Sequence, residues 1–317
     1  MTSFVVAVPA TTGNLGAGFD CLGAALSLYN RFEFSLISEP LNSELPTSEL
    51  ASSYLQIRAS GLYGKSVAKD EANLIYTSLV KFFEHIGRPV PSISIHIEAN
   101  IPMARGLGSS ATAIVGGIVG GNLLAGSPCS QKQLLDLAIA IEGHPDNVAA
   151  AMLGGCQLSA SRLDGSWEIC PIIWHPEIAI ALAIPNFELS TKEARSVLPA
   201  TVPMADAIFN ASHLALLTQA LAKGNPHWLQ TALQDRLHQP YRDSLIVGIK
   251  EVEKAAIAFG AYGMVISGAG PTLLALGHPN YIDGIANGMV KAWQTVDVIA
   301  TKKVLSIATG GTTCNVY

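Results

Sequence analysis

The apolar positions of the chain fall into segments of two different periods. Phe4 to Pro9 reads as a short strand, and Ala24 to Leu36, apolar and aromatic, reads as strand again. Pro91 to Ala99 alternates, with Ile93, Ile95 and Ile97 on one face, as a half-buried strand does. Ser53 to Arg58 alternates like a strand with one exposed face. Between the strands the period lengthens. Leu74, Leu79, Phe82 and Phe83 predict a helix over 73–86, and Leu134, Leu135, Leu137, Ala138 and Ile141 predict another over 131–141. The stretch 111–124 is apolar on all sides and opens at Ser109 or Ser110, so it predicts a buried helix. Val148 to Leu153 is a short apolar segment that ends at the Gly154-Gly155 turn into another strand, and the polar stretch Leu41 to Ser53 predicts a surface loop or hairpin.

The second half continues the mixture. Strands are expected at 178–184, 263–267, 272–276 and 301–308, and helices at 206–223, 243–259 and 280–293. Strand and helix blocks without regular βαβ alternation imply an α+β protein. The Asp164-Gly165-Ser166 turn suggests a boundary near residue 170, hence two domains, 1–170 and 171–317.

Composition narrows the function classes. Only 14% of residues are charged and the net charge is −5, so no basic face is available to track a nucleic-acid backbone. The five cysteines are scattered with no Cys-x-x-Cys pair, which suits reduced thiols in a cytoplasmic protein. No Lys or Arg stands before Arg31 and Asp20 interrupts the apolar residues, so no signal peptide is expected. Ala111 to Gly126 carries small residues at Gly116 and Gly120, as a membrane helix can, but Asn122 breaks it and it falls short of the roughly 20 apolar residues of a span. No membrane partner is expected.

Chemistry concentrates in Pro102-Met103-Ala104-Arg105-Gly106-Leu107-Gly108-Ser109-Ser110-Ala111-Thr112, between a strand and the apolar helix. Glycines let backbone approach a ligand closely. The first helical turn then offers free N–H groups and the positive end of the helix dipole, a site for phosphate. Two serine hydroxyls add donors or a Mg²⁺ ligand. The plainer alternative is a glycine turn that only permits tight packing. Ala59-Ser60-Gly61-Leu62-Tyr63-Gly64-Lys65-Ser66 competes as a loose Walker A match. It follows an exposed-face strand, lacks the first glycine, and is followed by Asp70 and Glu71, so it reads as a coincidental surface turn.

The 101–113 segment resembles the phosphate-binding loop of the GHMP kinases, and two further blocks agree. Pro9 to Asp20 (Pro-Ala-Thr-Thr-Gly-Asn-Leu-Gly-Ala-Gly-Phe-Asp) is similar to the first family motif in its homoserine kinase form, and Ser267 to Thr272 to the third. The resemblance covers nearly the whole chain. It implies a ribosomal S5 domain 2-like N-terminal domain, a ferredoxin-like C-terminal domain, and ATP in the cleft between them, with residues 102–112 and Asn73 on the nucleotide. It also implies Mg²⁺ held by Ser110 and by Glu142 at the end of the second predicted helix, with a solvated helix end as the plainer reading of Glu142. His144 precedes Pro145, is held extended, and has no second His or Cys at ligand spacing for zinc.

Asp146 and Asn147 match the family's catalytic Asp-Asn pair. Phosphoryl transfer asks mainly for alignment and charge stabilisation, so Asp146 is assigned to binding and orienting the substrate, with base catalysis open. An amino-acid alcohol needs guanidinium forks for its carboxylate and oxygens for its ammonium. Blocks around Thr191 and Arg195, and around Arg242, resemble those that hold the carboxylate, and Asn14, Asp20, His144 and Asp146 would complete the pocket. For a lone arginine, a surface salt bridge is the simpler account. The implied substrate is L-homoserine and the implied assembly a homodimer. A mevalonate-type or sugar kinase and a non-catalytic ATP-binding module are the alternatives. The latter would have lost the Glu142, Asp146 and arginine positions.

Overall fold

The computed structural model describes residues 3–37 and 55–316. The expected loop or hairpin at Leu41 to Ser53 therefore lies outside the described residues, apart from which the chain forms two layered sheets.

The first sheet is led by a long antiparallel pair, β1 (Ser3–Asn14) and β2 (Gly18–Leu36), whose register shifts at Pro9/Ala10 and at Gly13/Asn14. β3 (Leu55–Ser60) runs parallel to β4 (Ile93–Glu98), which pairs with β2; β5 (Cys156–Ser161) pairs with β2 and with β6 (Trp167–Ile172). Helices α1 (Leu74–His85), α2 (Ser109–Leu124), α3 (Gln131–Glu142) and α4 (Asp146–Leu153) supply the other layer of this core. The alternating Phe32, Phe34, Ile93, Ile95 and Ile97 face Leu79, Phe82, Ile114, Val115 and Ile118. Each such side chain, fully buried, contributes about 1.5–3 kcal/mol. α2 approaches the sheet so closely that a Cβ at Gly116 would strike the Phe32 ring and one at Gly120 the Phe34 ring. The small-residue spacing thus serves core packing, and valine at either position would cost about 1–3 kcal/mol by overpacking. Among the described residues no helix is long and apolar enough to cross a membrane.

The second half supplies β7 (Ala179–Pro185), α5 (Thr191–Ser196), α6 (Met204–Lys223), α7 (Pro226–Ala232), α8 (Gln239–Arg242), α9 (Ile249–Ala258), β8 (Gly263–Ile266), β9 (Leu273–Gly277), α10 (Ile282–Gln294) and β10 (Ala300–Leu305). The sheet order is β10-β7-β9-β8, all antiparallel. Val252, Ile285, Met289 and Trp293 bury one face of this sheet. Ile180, Leu182, Leu274 and Leu276 turn the other way and join Leu217, Leu221 and Leu229 with Ala10, Leu15 and Leu22 of the first half. That shared core locks the two halves together and fixes the cleft between them.

Several boundaries differ from the sequence reading. Residue 170 falls inside β6, and β11 (Thr313–Val316) returns to pair with β1. The helix expected over 243–259 is broken: a 3₁₀ turn at Asp243–Leu245 is followed by Gly248 at φ 74°, and α9 starts only at Ile249. The last expected strand ends at Leu305, with an isolated bridge from Ile307 to Leu26. Val148 to Leu153 is the body of a helix that starts at Asp146.

Candidate active site

The segment between β4 and α2 folds as a loop whose shape depends on glycine. Gly106 and Gly108 have φ 73° and 66°; a Cβ on the first would meet the Ser267 carbonyl, and on the second the Thr11 side chain. Gly108 ends the loop at the N-terminus of α2, where no side chain caps the helix and no acidic residue stands in the first turn. The orphan N–H groups and the dipole therefore face the cleft uncompensated. Neighbouring segments brace the loop. Thr11 N donates to Leu107 O (3.1 Å), Ser267 Oγ to Gly106 O (2.7 Å), and Leu189 N to Ala104 O (3.1 Å). Arg105 donates to Pro185 O (3.0 Å) and Asn186 O (2.8 Å) at the end of β7, so its guanidinium ties the loop to the second half.

The cleft has a volume of about 480 Å³. Met103, Ala104, Arg105, Gly106, Gly108, Ser109 and Ser110 line it; Pro102, Leu107, Ala111 and Thr112 lie buried behind. Asn73 also lines it, but both ends of its amide are engaged, accepting from Ile75 N (2.9 Å) to cap α1 and donating to Ala68 O (2.6 Å). The Walker-like segment is a turn with Gly61 at φ 85° and a single 3₁₀ turn, and the next helix, α1, starts only at Leu74. Lys65 is exposed, although Ser66 and Val67 reach the edge of the cleft.

The opposite end of the cleft holds the charged groups. Asp146 is 1% exposed, at the first turn of α4 where the helix dipole favours a carboxylate. His144 Nδ1 lies 2.7 Å from its Oδ1. Burial alone would lower the His144 pKa, but the hydrogen bond and charge of Asp146 outweigh it and raise the pKa above the usual histidine range. Asn147 Oδ1 accepts from Thr11 Oγ1 (2.8 Å). Asn14, at φ 71°, donates to Gly268 O (2.8 Å) and accepts from Asp20 N (2.9 Å). Arg195 grips Asp20 with both prongs, at 2.9 and 2.7 Å. Thr191, exposed at the start of α5, lines the same wall.

Arg242 is 2% exposed. Its Nε donates to Ala194 O (3.1 Å) and its Nη1 to Gly268 O (3.1 Å), but among the described residues no carboxylate pairs with it. Burial, then the charge of Arg195, push its pKa down to about 10, which still leaves it cationic at neutral pH. A buried cation lacking an anion is costly, so this position favours an anionic ligand.

Ser110 Oγ donates to Glu142 Oε2 (2.8 Å) between the two ends. Burial raises the Glu142 pKa above the usual carboxylate range, with the Ser110 hydrogen bond opposing. A hydroxyl and a desolvated carboxylate at an open helix terminus are hard oxygen donors and fit Mg²⁺ beside phosphates. Asp20, His144 and Asp146 also offer ligand atoms within 4.8 Å of one another. Each is already engaged there, Asp20 by Arg195 and His144 with Asp146, so this cluster is a polar network first.

The apolar end of the cleft, formed by Phe32, Ile97, Ala99, Ile101 and Val67, was not legible as a site. Such residues look like any core strand in a sequence. Asn30, buried, has no sequence signal either; its Oδ1 accepts from Asn100 N (2.7 Å) and Ile101 N (3.0 Å) and sets the start of the glycine loop.

Comparison with known proteins agrees with this geometry. The model of the GHMP kinases N terminal domain matches residues 73–155, and that of the GHMP kinases C terminal domain residues 217–295. The homoserine kinase of Trichormus variabilis is 52% identical over 313 residues, 99% of each chain. That of a Picosynechococcus species is 53% identical, covering 98% of this chain and 99% of the relative. The crystal structure of homoserine kinase from Cytophaga hutchinsonii superposes with a TM-score of 0.84 at 27% identity, covering 99% of this chain and 97% of that one. Mevalonate kinase of L. major, at 16% identity and a TM-score of 0.68, shares the fold. The chain belongs to the homoserine kinases of the GHMP kinase superfamily.

Proposed function

We propose that the chain transfers the γ-phosphoryl group of ATP to the side-chain hydroxyl of L-homoserine, giving ADP and O-phospho-L-homoserine on the route to threonine. Its relatives' activity supports this reading, and one observation carries it: the unpaired, buried Arg242 stands next to the Arg195–Asp20 pair. A zwitterionic amino acid offers Asp20 an ammonium and the two arginines a carboxylate, replacing the pair by matched contacts. A sugar or a neutral alcohol would leave both guanidiniums without that anion.

The triphosphate would rest on the backbone N–H groups at the start of α2, with the adenine toward the apolar end near Phe32 and Ile97. Mg²⁺, when bound, supplies charge neutralisation at the β- and γ-phosphates, and Ser110 and Glu142 are the residues proposed to hold it. Asp146, anchored by His144, orients the acceptor hydroxyl toward the phosphate end, while Asn147 is held by Thr11. The part through β6 would thus carry the nucleotide, and the part from β7 on would complete the amino-acid site with Thr191, Arg195 and Arg242. The dispersed thiols support a cytoplasmic setting.

Coupled ADP release with homoserine, mevalonate and galactose tests the reading. Turnover with homoserine far above the other two is expected; preference for mevalonate would reject it.

A further inference from the structure

We propose that His238 is a positioning residue: its imidazole accepts a hydrogen bond from Arg242 Nη1 at Nδ1, donates from Nε2 to Gly16 O, and so holds the guanidinium in register for the substrate carboxylate. The proposal rests on the reading of Arg242 given above. His238 is fully buried, outside the cleft lining, and stands four residues before Arg242 across the short helix α8. Its Nε2 lies 2.9 Å from Gly16 O and its Nδ1 3.2 Å from Arg242 Nη1.

The two neighbours fix the tautomer. A carbonyl oxygen can only accept, so Nε2 carries the proton. A guanidinium can only donate, so Nδ1 must present its lone pair. The imidazole is therefore neutral, since a proton on Nδ1 would face a fixed cation at contact distance. Burial pushes the His238 pKa down in the same sense; of the nearby charges Asp235 opposes this, Arg242 adds to it, and Asp20 opposes it.

Asp235 is not a charge partner in the usual sense of a triad. Its Oδ2 is 3.5 Å from Nε2 and accepts from His238 N (2.9 Å) and Gln239 N (2.7 Å). Its Oδ1 accepts from Leu237 N (3.0 Å) and Asn210 Nδ2 (2.7 Å). Asp235 thus builds the turn that presents α8 and leaves the imidazole to Gly16 and Arg242. The Phe19 ring stacks on His238 at 5.1 Å and carries both guanidiniums, Arg242 at 5.3 Å and Arg195 at 5.6 Å. With Nε on Ala194 O and Nη1 shared by Gly268 O and His238, the remaining Nη2 has no hydrogen-bond partner among the described residues. That is the prong left for a ligand.

Two variants separate positioning from packing. His238→Asn places an oxygen acceptor where Nδ1 lies; His238→Leu keeps volume and removes the acceptor. Loss of a hydrogen bond to a charged group predicts that His238→Leu raises the homoserine KM about 10-fold, with kcat and the ATP KM nearly unchanged, and that His238→Asn recovers most of it. In an Arg242→Ala background, His238→Leu should add nothing further to the homoserine KM. Equal losses in both His238 variants, or additive losses with Arg242→Ala, would overturn the proposal. ¹⁵N NMR of the ligand-free wild type reads the tautomer without any substrate, and so survives a failure of the homoserine reading. A neutral Nε2–H imidazole whose Nδ1 resonance moves in Arg242→Ala is expected. A charged imidazole, or an Nδ1–H tautomer, would refute the arrangement whatever the kinetics show.

Discussion

The two ends of the cleft are built in opposite ways. The end proposed to hold phosphate is one continuous stretch, Ile101 to Ser110, and its chemistry is backbone: left-handed glycines and an uncapped helix terminus. The end proposed for the acceptor is side-chain chemistry gathered from Asn14 and Asp20, His144 and Asp146, Arg195, and Arg242. Backbone sites tolerate little change in shape, because every added atom meets a neighbour. Side-chain sites tolerate shape changes but depend on which charge faces which. Substitutions at the first end should therefore strike kcat, and those at the second should sort substrates.

Gly108→Val gives the largest expected effect. It forces a β-branched residue to φ 66° against Thr11 and should leave no measurable turnover, read in a steady-state assay beside a circular dichroism check of the fold. Ser110→Ala should lower kcat by roughly 10²–10³, a loss typical of removing one group that helps stabilise transition-state charge, here through the Mg²⁺ it is proposed to hold. If homoserine KM rather than kcat moved, the contrast between the two ends would fail.

Glu142→Gln should follow, lowering kcat and raising the Mg²⁺ concentration needed for half-maximal rate. The same change should raise Tm at neutral pH. Burial holds the folded pKa above the unfolded value, so the penalty on the charged form builds as pH rises from the unfolded pKa through the folded one, and removing the charge removes it. A magnesium titration matching wild type would move the ligand assignment elsewhere, with Asp146 first in line.

His144→Asn should have a smaller effect, on stability. The raised folded pKa of His144 means its pairing with Asp146 contributes fully below the unfolded value and fades as pH rises through the folded one. Melting curves should thus separate wild type from variant more at about pH 5.5 than at about pH 8.5. Lys65→Ala, on the Walker-like turn, should change rate by no more than about twofold, in keeping with exposed sites away from a special feature. A loss of about 100-fold there would place the phosphates on the wrong loop.

The same contrast explains what is legible in the sequence. The glycine loop before α2 is legible because all its parts are neighbours in sequence and glycine spacing reports directly on backbone shape. The buried α2 is legible from its mostly apolar, uncharged composition on all sides. The gathering of the charged residues at one end of the cleft follows motif resemblance, residue by residue, but the mutual pairing of Asp20 with Arg195 has no sequence signal. It depends on a tertiary approach across 175 positions of chain that no local pattern encodes. The apolar wall near Phe32 and the brace at Asn30 left no signal either, since their residue types are those of any strand. Short elements such as β6, β11, α5 and α8 escaped because four to six residues carry too little periodicity to stand out.

The central claim, that two arginines read the carboxylate of an amino-acid alcohol, is tested most directly by steady-state kinetics of Arg195→Ala and Arg242→Ala. Homoserine is compared with 3-aminopropan-1-ol, which lacks the carboxylate. Each variant should raise the homoserine KM roughly 10- to 150-fold, the worth of a charge-assisted hydrogen bond, and leave the ATP KM nearly unchanged. The carboxylate-free alcohol should be a poor substrate for wild type and almost indifferent to either substitution. Equal weakening of ATP and homoserine, or an equal loss on both alcohols, would contradict the assignment.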